Sequence, residues 1–277
     1  MGFFERLGNG WKMGMASLSV IKKNKQLVLF PLFSGVALLA VVASFIGIIY
    51  AKWGLDFGRV VEQGSIGDYV ITFVYYLICY FVIVFFNVGL VHCTRLYLKG
   101  EPMKFSDGIN YSLKRIPVIL GWAALAATVG LLLKAIQENS GTLGKIIAGV
   151  IGVVWSVMTF FVVPVLAYEN VGPIEAVKRS SSIMKDKWGE SIGASFSFGI
   201  IGFIATLIIA LPVGFLLGMI NPAIGIGAGI LIAFLIQCVV SSAEMVFVAS
   251  VYHNVVDDMP LNDYDSELID NLFVEKD

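Results

Sequence analysis

The residue most able to do chemistry in this chain is Glu244, which stands inside a long apolar run in the context Ser241-Ser-Ala-Glu-Met-Val-Phe. A carboxylate placed in hydrocarbon costs roughly 2.5 kcal/mol or more, so it must face other helices, be protonated or pair. Gln237, Ser241, Glu244 and, less closely, Ser250 fall in one broad sector if the run is helical. Such a sector either lines a polar cavity or makes one interhelical hydrogen bond that fixes packing. Asn87, His92 and Arg95 form a second polar group at the end of another apolar run. His92 and His253 are the two histidines of the chain, and both stand at the exits of apolar runs. With Glu244 or Glu169 they have the donor types that suit zinc, but no H-E-x-x-H or comparable spacing accompanies them. The expectation is therefore a polar cavity around Glu244, Gln237, Ser241, Asn87, His92 and His253, with no metal, cofactor or catalytic residue assigned. No G-x-S-x-G, P-loop or dinucleotide-binding glycine pattern is present. Cys79, Cys93 and Cys238 lie in or at the ends of apolar runs and read as small buried residues.

The surroundings of these residues are set by composition. Of 277 residues, 58% are hydrophobic and only 14% charged, against about 25% charged in soluble domains. Mean hydropathy is +0.86. The excess apolar surface has no soluble core to fill, so its solvent is lipid. The net charge of -1 gives no basis for nucleic-acid binding. Six apolar runs, at residues 27–50, 69–91, 116–133, 143–168, 192–219 and 223–251, are each long enough to cross a bilayer. Pro31 opens the first run harmlessly, whereas Pro164 and Pro212 lie inside later runs and should kink them. Lys and Arg concentrate before the first run, after the second and after the fourth; Lys52, Arg59, Lys134 and Lys145 fall on the opposite side. The alternation and the bias agree on six spans with both termini cytoplasmic.

Between the spans the pattern repeats. Residues 3–24, 104–115 and 173–187 read as basic amphipathic helices on the cytoplasmic membrane surface, each preceding a pair of spans. In the first, Phe4, Leu7, Trp11, Met15, Leu18 and Ile21 mark an apolar face. Ser17 to Lys25 echoes Ser180 to Trp188, and Phe86-x-x-Gly89-x-x-His92 echoes Phe161-x-x-Pro164-x-x-Ala167 and Phe247-x-x-Ser250-x-x-His253. Ser180, Ser181 and Ser182 read as helix-surface serines. Lys12, Lys22, Lys23, Lys25, Lys178, Arg179, Lys185 and Lys187 are placed to contact anionic headgroups. Small residues four apart, at Gly144, Ala148 and Gly152, at Ala210, Gly214 and Gly218, and at Gly225 and Gly229, allow close helix packing, within the chain or in a homo-oligomer. The fold expected is all-α: a polytopic bundle of six spans over residues 1–256, followed by an acidic tail at 257–277 able to engage a protein partner.

The segment PVLAYENVGPIEAVKRSSSIMKDKWGE, through Pro164, Glu169, Gly172-Pro173, Ala176, Ser180 and Trp188, resembles a motif shared by several prokaryotic six-span membrane families. Residues 11–35, with LVLFPLFSG, resemble the start of one such family of unknown function. A more distant likeness is to the membrane domain found beside glycerophosphoryl diester phosphodiesterases, whose soluble catalytic domain has no counterpart here. The resemblance implies a fold and a bacterial or archaeal membrane setting. The expected function is non-enzymatic binding or movement of a lipid or other amphipathic molecule; the alternative is a scaffold or accessory subunit of a membrane complex.

Overall fold

A computed structural model describes residues 3–53, 66–139, 141–186 and 198–257. Over these residues the chain is an all-α bundle. Helix α1 (Phe3–Lys23) is followed by a 3-10 turn (Lys25–Val28) and by α2 (Leu29–Trp53). Then come α3 (Ile66–Leu98), the short α4 (Phe105–Lys114), α5 (Ile116–Asn139) and α6 (Gly141–Met158). Helices α7 (Val162–Tyr168) and α8 (Pro173–Asp186) precede a fifth apolar helix (Phe198–Gly218), whose last part is α9 (Leu211–Gly218). Helix α10 (Pro222–Asp257) closes the described chain. Among the described residues six helical stretches are long and apolar enough to span a membrane: Lys25–Ala51, Tyr69–Leu98, Ile116–Glu138, Gly141–Tyr168, Phe198–Gly218 and Pro222–Asp257. The tail beyond Asp257, together with Lys187 and Trp188, lies outside the described residues.

Two of the spans are interrupted where proline demands it. Pro164 cannot donate to the carbonyl four residues back and its ring crowds that turn. The fourth span accordingly breaks at Thr159–Phe161 and resumes as α7. The fifth meets Pro212 by widening into a π-turn at Thr206–Ala210 just before it. Glycine serves at two corners that need a left-handed backbone: Gly100 (φ 71°) after α3 and Gly141 (φ 56°) between the third and fourth spans.

The three amphipathic helices follow one rule. Helix α4 packs on the second span, α8 on the fourth and α1 on the sixth, so the first amphipathic helix closes against the last span. Each buries a serine completely: Ser112, Ser180 and Ser17. Ser112 donates to the Phe85 carbonyl at 2.7 Å. Ser180 accepts the Phe161 N–H at 3.0 Å. Ser180 is thus a buried cap for the broken fourth span, not a surface serine, whereas Ser182 is exposed. On α1 the contact face is Gly14, Ser17, Val20 and Ile21, all buried, while Trp11 and Met15 are exposed. Small side chains permit the closest approach, so the seam follows them and the bulky residues turn outward.

Glycine sets the tightest crossings. At the α3–α4 contact a Cβ on Gly108 would lie 2.5 Å from the Phe30 ring and 2.6 Å from the Gly89 carbonyl oxygen. In the last hairpin a Cβ on Gly225 would meet the Gly218 backbone at 2.4 Å, and Gly214 lies against Gly229. Ala210 is buried on the same seam. Gly144 and Ala148 are the buried residues of α6, but a Cβ on Gly152 would touch nothing within 4 Å. Gly108→Ala should therefore lower stability by about 1–3 kcal/mol through overpacking. Gly152→Ala should be neutral or stabilising by up to about 1 kcal/mol through helix propensity. Unfolding of both variants in mixed micelles checks the contrast.

Candidate functional site: a cleft between three spans

The first two spans and the last leave a cleft of about 490 Å³ between them. Helix α2 supplies Pro31, Ser34, Gly35 and Leu38, which recur at intervals of three and four and so share one face. Helix α3 supplies Ile83 and Asn87, one turn apart. Helix α10 supplies the longest wall, from Phe234 through Gln237, Cys238, Ser241, Glu244 and Met245 to Val248. At 1.5 Å per residue that wall is about 21 Å long. Phe160, from the break in the fourth span, completes the lining. Two contacts hold α2 and the turn before it against α10 beside the cleft. Ser242 donates to the Cys238 carbonyl at 2.8 Å and lies 3.3 Å from that of Leu27. The Phe234 ring lies over Gly35, where a Cβ would come within 2.5 Å of it.

The cleft is mostly apolar and carries its polar groups on two helices. Gln237 Nε2 approaches Ser241 Oγ at 3.4 Å. Glu244 is half-buried and already engaged in a polar contact. The structure thus brings together Glu244, Gln237, Ser241 and Asn87. Ser34, Gly35, Phe160 and Phe234 join them without any sequence signal except the smallness of the first two.

His92 and His253 stand elsewhere. Five residues turn a helix about 500°, which leaves His92 about 140° round from Asn87; nine residues put His253 about 180° from Glu244. Both histidines point instead into an aromatic cluster where the second, fourth and sixth spans end. His92 stacks flat on Tyr111 with ring centres 3.9 Å apart. Its Nδ1 lies 3.2 Å from the Tyr168 hydroxyl. The Tyr168 ring meets His253 edge-on at 4.8 Å, and Arg95 lies over the same tyrosine at 4.3 Å as a cation–π partner. Asp257 holds Arg95 at 3.3 Å and His253 Nδ1 at 2.7 Å. A carboxylate partner requires the proton on Nδ1, which leaves Nε2 as the acceptor in the neutral ring. Among the described residues, His253 Nε2 and Arg95 Nε are buried without a hydrogen-bond partner.

Glu169 ties this cluster to α8. Its Oε1 accepts from Arg179 Nε at 2.9 Å and from the Tyr252 hydroxyl at 3.1 Å. One carboxylate thereby joins the fourth span, α8 and the sixth span. Tyr111, Tyr168 and Tyr252 carry much of the cluster and went unread in the sequence, where single tyrosines at helix ends look like ordinary interfacial residues. No group of three His, Cys, Asp or Glu side chains among the described residues comes together as a metal-binding set. Lys12, Lys22, Lys23, Lys25, Lys178, Arg179 and Lys185 are all exposed on or beside α1 and α8.

A comparison with curated proteins found no match. Residues 66–260 match a family of unknown function, DUF6159. That match runs from the second span through the end of the sixth and includes the broken fourth span, the aromatic cluster and most of the cleft wall. The chain belongs to this family of unknown function, DUF6159.

Proposed function

We propose that this protein is a non-enzymatic protein of the prokaryotic cell membrane that binds or moves a lipid or other amphipathic small molecule through the cleft between its first, second and sixth spans. The observation behind this reading is a cleft of about 490 Å³, within the roughly 300–1,000 Å³ range of small-molecule sites. Its walls are apolar, and its few polar groups include a carboxylate placed inside a membrane span. An intramembrane acid is costly and marks a functional position by default. On this reading α1, α4 and α8 lie in the cytoplasmic membrane interface, where the exposed lysines of α1 and α8 meet anionic headgroups at about 1 kcal/mol each.

Two outcomes are expected. After extraction from its native membrane in polymer nanodiscs, the protein should carry a lipid or small molecule enriched over bulk membrane. In Glu244→Gln that enrichment should fall at least about tenfold, the value of one lost charged hydrogen bond; equal recovery from both would contradict the reading. For topology, the native cysteines are first replaced. A membrane-impermeant maleimide on intact cells should then label Thr142→Cys and spare Ser106→Cys. The reverse pattern would place the termini outside.

A further inference from the structure

We infer that the cleft takes an acyl lipid from the leaflet adjoining the amphipathic helices and holds it as lipids lie there, head toward those helices and chain toward the bilayer centre. This rests on the binding reading above and adds the ligand's source and orientation; on the topology proposed there, the leaflet is the cytoplasmic one. The inference comes first from the order of side chains along the three walls. Two contacts set the register of α2 and α10. Ser242 lies 3.3 Å from the Leu27 carbonyl, and the Phe234 ring lies over Gly35. Eight residues separate these contacts on each side, so the two helices run antiparallel in step. Helix α3 runs with α10, since Arg95 and Asp257 join their ends. On each wall a polar residue then stands nearer the amphipathic helices and an apolar one nearer the middle of the span. Ser34 precedes Leu38 on α2, and Asn87 precedes Ile83 on α3 in that direction. On α10 Glu244, Ser241 and Gln237 precede Phe234.

Burial along α10 gives the second half. Its outer large apolar side chains, Ile224, Ile226, Ile230, Leu231 and Leu235, are exposed, as on a helix that faces lipid. From Val246 to His253 every residue is buried in protein. Met245 and Val248 line the cleft at that enclosed end. A chain whose head meets the polar band therefore has an open path only toward Leu38, Ile83 and Phe234. Gln237 stands at the transition: it lines the cleft and is itself exposed. Ile230, seven residues before it and so on the same helix face, is exposed as well. The cleft thus opens sideways onto the lipid-facing surface of α10, and a ligand enters it without passing through the packed end. The amides and hydroxyls of Asn87, Gln237 and Ser241 both donate and accept, so the arrangement assigns an orientation and no particular head charge.

The test uses cells that make the full-length protein and are fed a fatty acid bearing a diazirine near its carboxyl end or near its methyl end, so that the membrane's own acyl lipids become the probes. After illumination, labelled residues are mapped by mass spectrometry. Ser241→Phe and Leu38→Trp are two independent ways of filling the cleft from different helices, and labelling at the lipid-facing Ile226 should persist in both as a control for folding. Glu244 and Phe234 stand about 15 Å apart along α10, so the carboxyl-end probe should label Glu244 at least about fivefold more than the methyl-end probe does. The ratio should invert at Phe234, and both signals should be lost in the filled variants. An equal or opposite ratio at these two residues, also lost in the filled variants, would overturn the orientation and leave the cleft as a lipid site. Absence of labelling at both residues, or labelling that survives both filled variants, would overturn the inference and the binding reading together.

Discussion

Lipid offers a backbone no hydrogen bonds, and the fourth span cannot keep its own. Pro164 removes one donor and forces a break at Thr159–Phe161, deep enough that Phe161 is fully buried. The freed Phe161 N–H is satisfied by Ser180 Oγ from α8. An unmet N–H there would cost about 1–3 kcal/mol. The rest of the architecture leans on this repair. It re-aims α7 so that Tyr168 reaches His92 and His253, and Glu169 reaches Tyr252 and Arg179. It also leaves Phe160 on the wall of the cleft. One interruption therefore shapes both the aromatic cluster and the candidate ligand site.

The same logic explains the threefold pattern of amphipathic helices. Apolar surface gains nothing by leaving lipid, so helices associate through close backbone approach and shared hydrogen bonds. Each amphipathic helix buries a small residue beside a serine: Gly108 with Ser112, Ala176 with Ser180, Gly14 with Ser17, and Gly14 lies against Ile201 and Phe198 of the fifth span. Phe30 then covers the Gly89–Gly108 crossing and meets Phe105 at a tilt with ring centres 4.7 Å apart, which ties the first span to α4. The exits of the three even-numbered spans consequently meet at one point, and Arg95, Asp257 and Glu169 pin them there.

Much of this was legible from run length and period. Six apolar stretches sufficient to span a bilayer are a property of composition, and the small-residue seam of the last hairpin is a property of spacing. The sector from Gln237 to Glu244 was readable because four-residue steps stay on one helix face. The histidines stand near the cleft residues along the chain, but helical phase turns them into the aromatic cluster instead. Ser180 looked like a surface serine because an amphipathic pattern does not reveal which polar residue the helix buries. Trp11 and Met15 share the apolar face that the spacing marks on α1, yet they are exposed while Val20 and Ile21 are buried, since hydrophobicity alone does not distinguish residues that meet protein from those that do not. The link from Glu169 to Tyr252 joins residues far apart in the chain, and no local pattern announces it. The motif resemblance did single out Glu169, Gly172, Pro173, Ala176 and Ser180, and the structure supplies reasons for two of them in the carboxylate junction and the serine cap.

The most direct test of this account is amide hydrogen exchange across residues 159–165 in the native protein and in Ser180→Ala. If the serine hydroxyl holds the break, exchange in that segment should accelerate roughly tenfold, in line with the loss of one buried hydrogen bond, while the first and fifth spans exchange as before. Unchanged exchange at 159–165 would mean that Phe161 finds its partner elsewhere, and the broken fourth span would lose its place as the organising constraint.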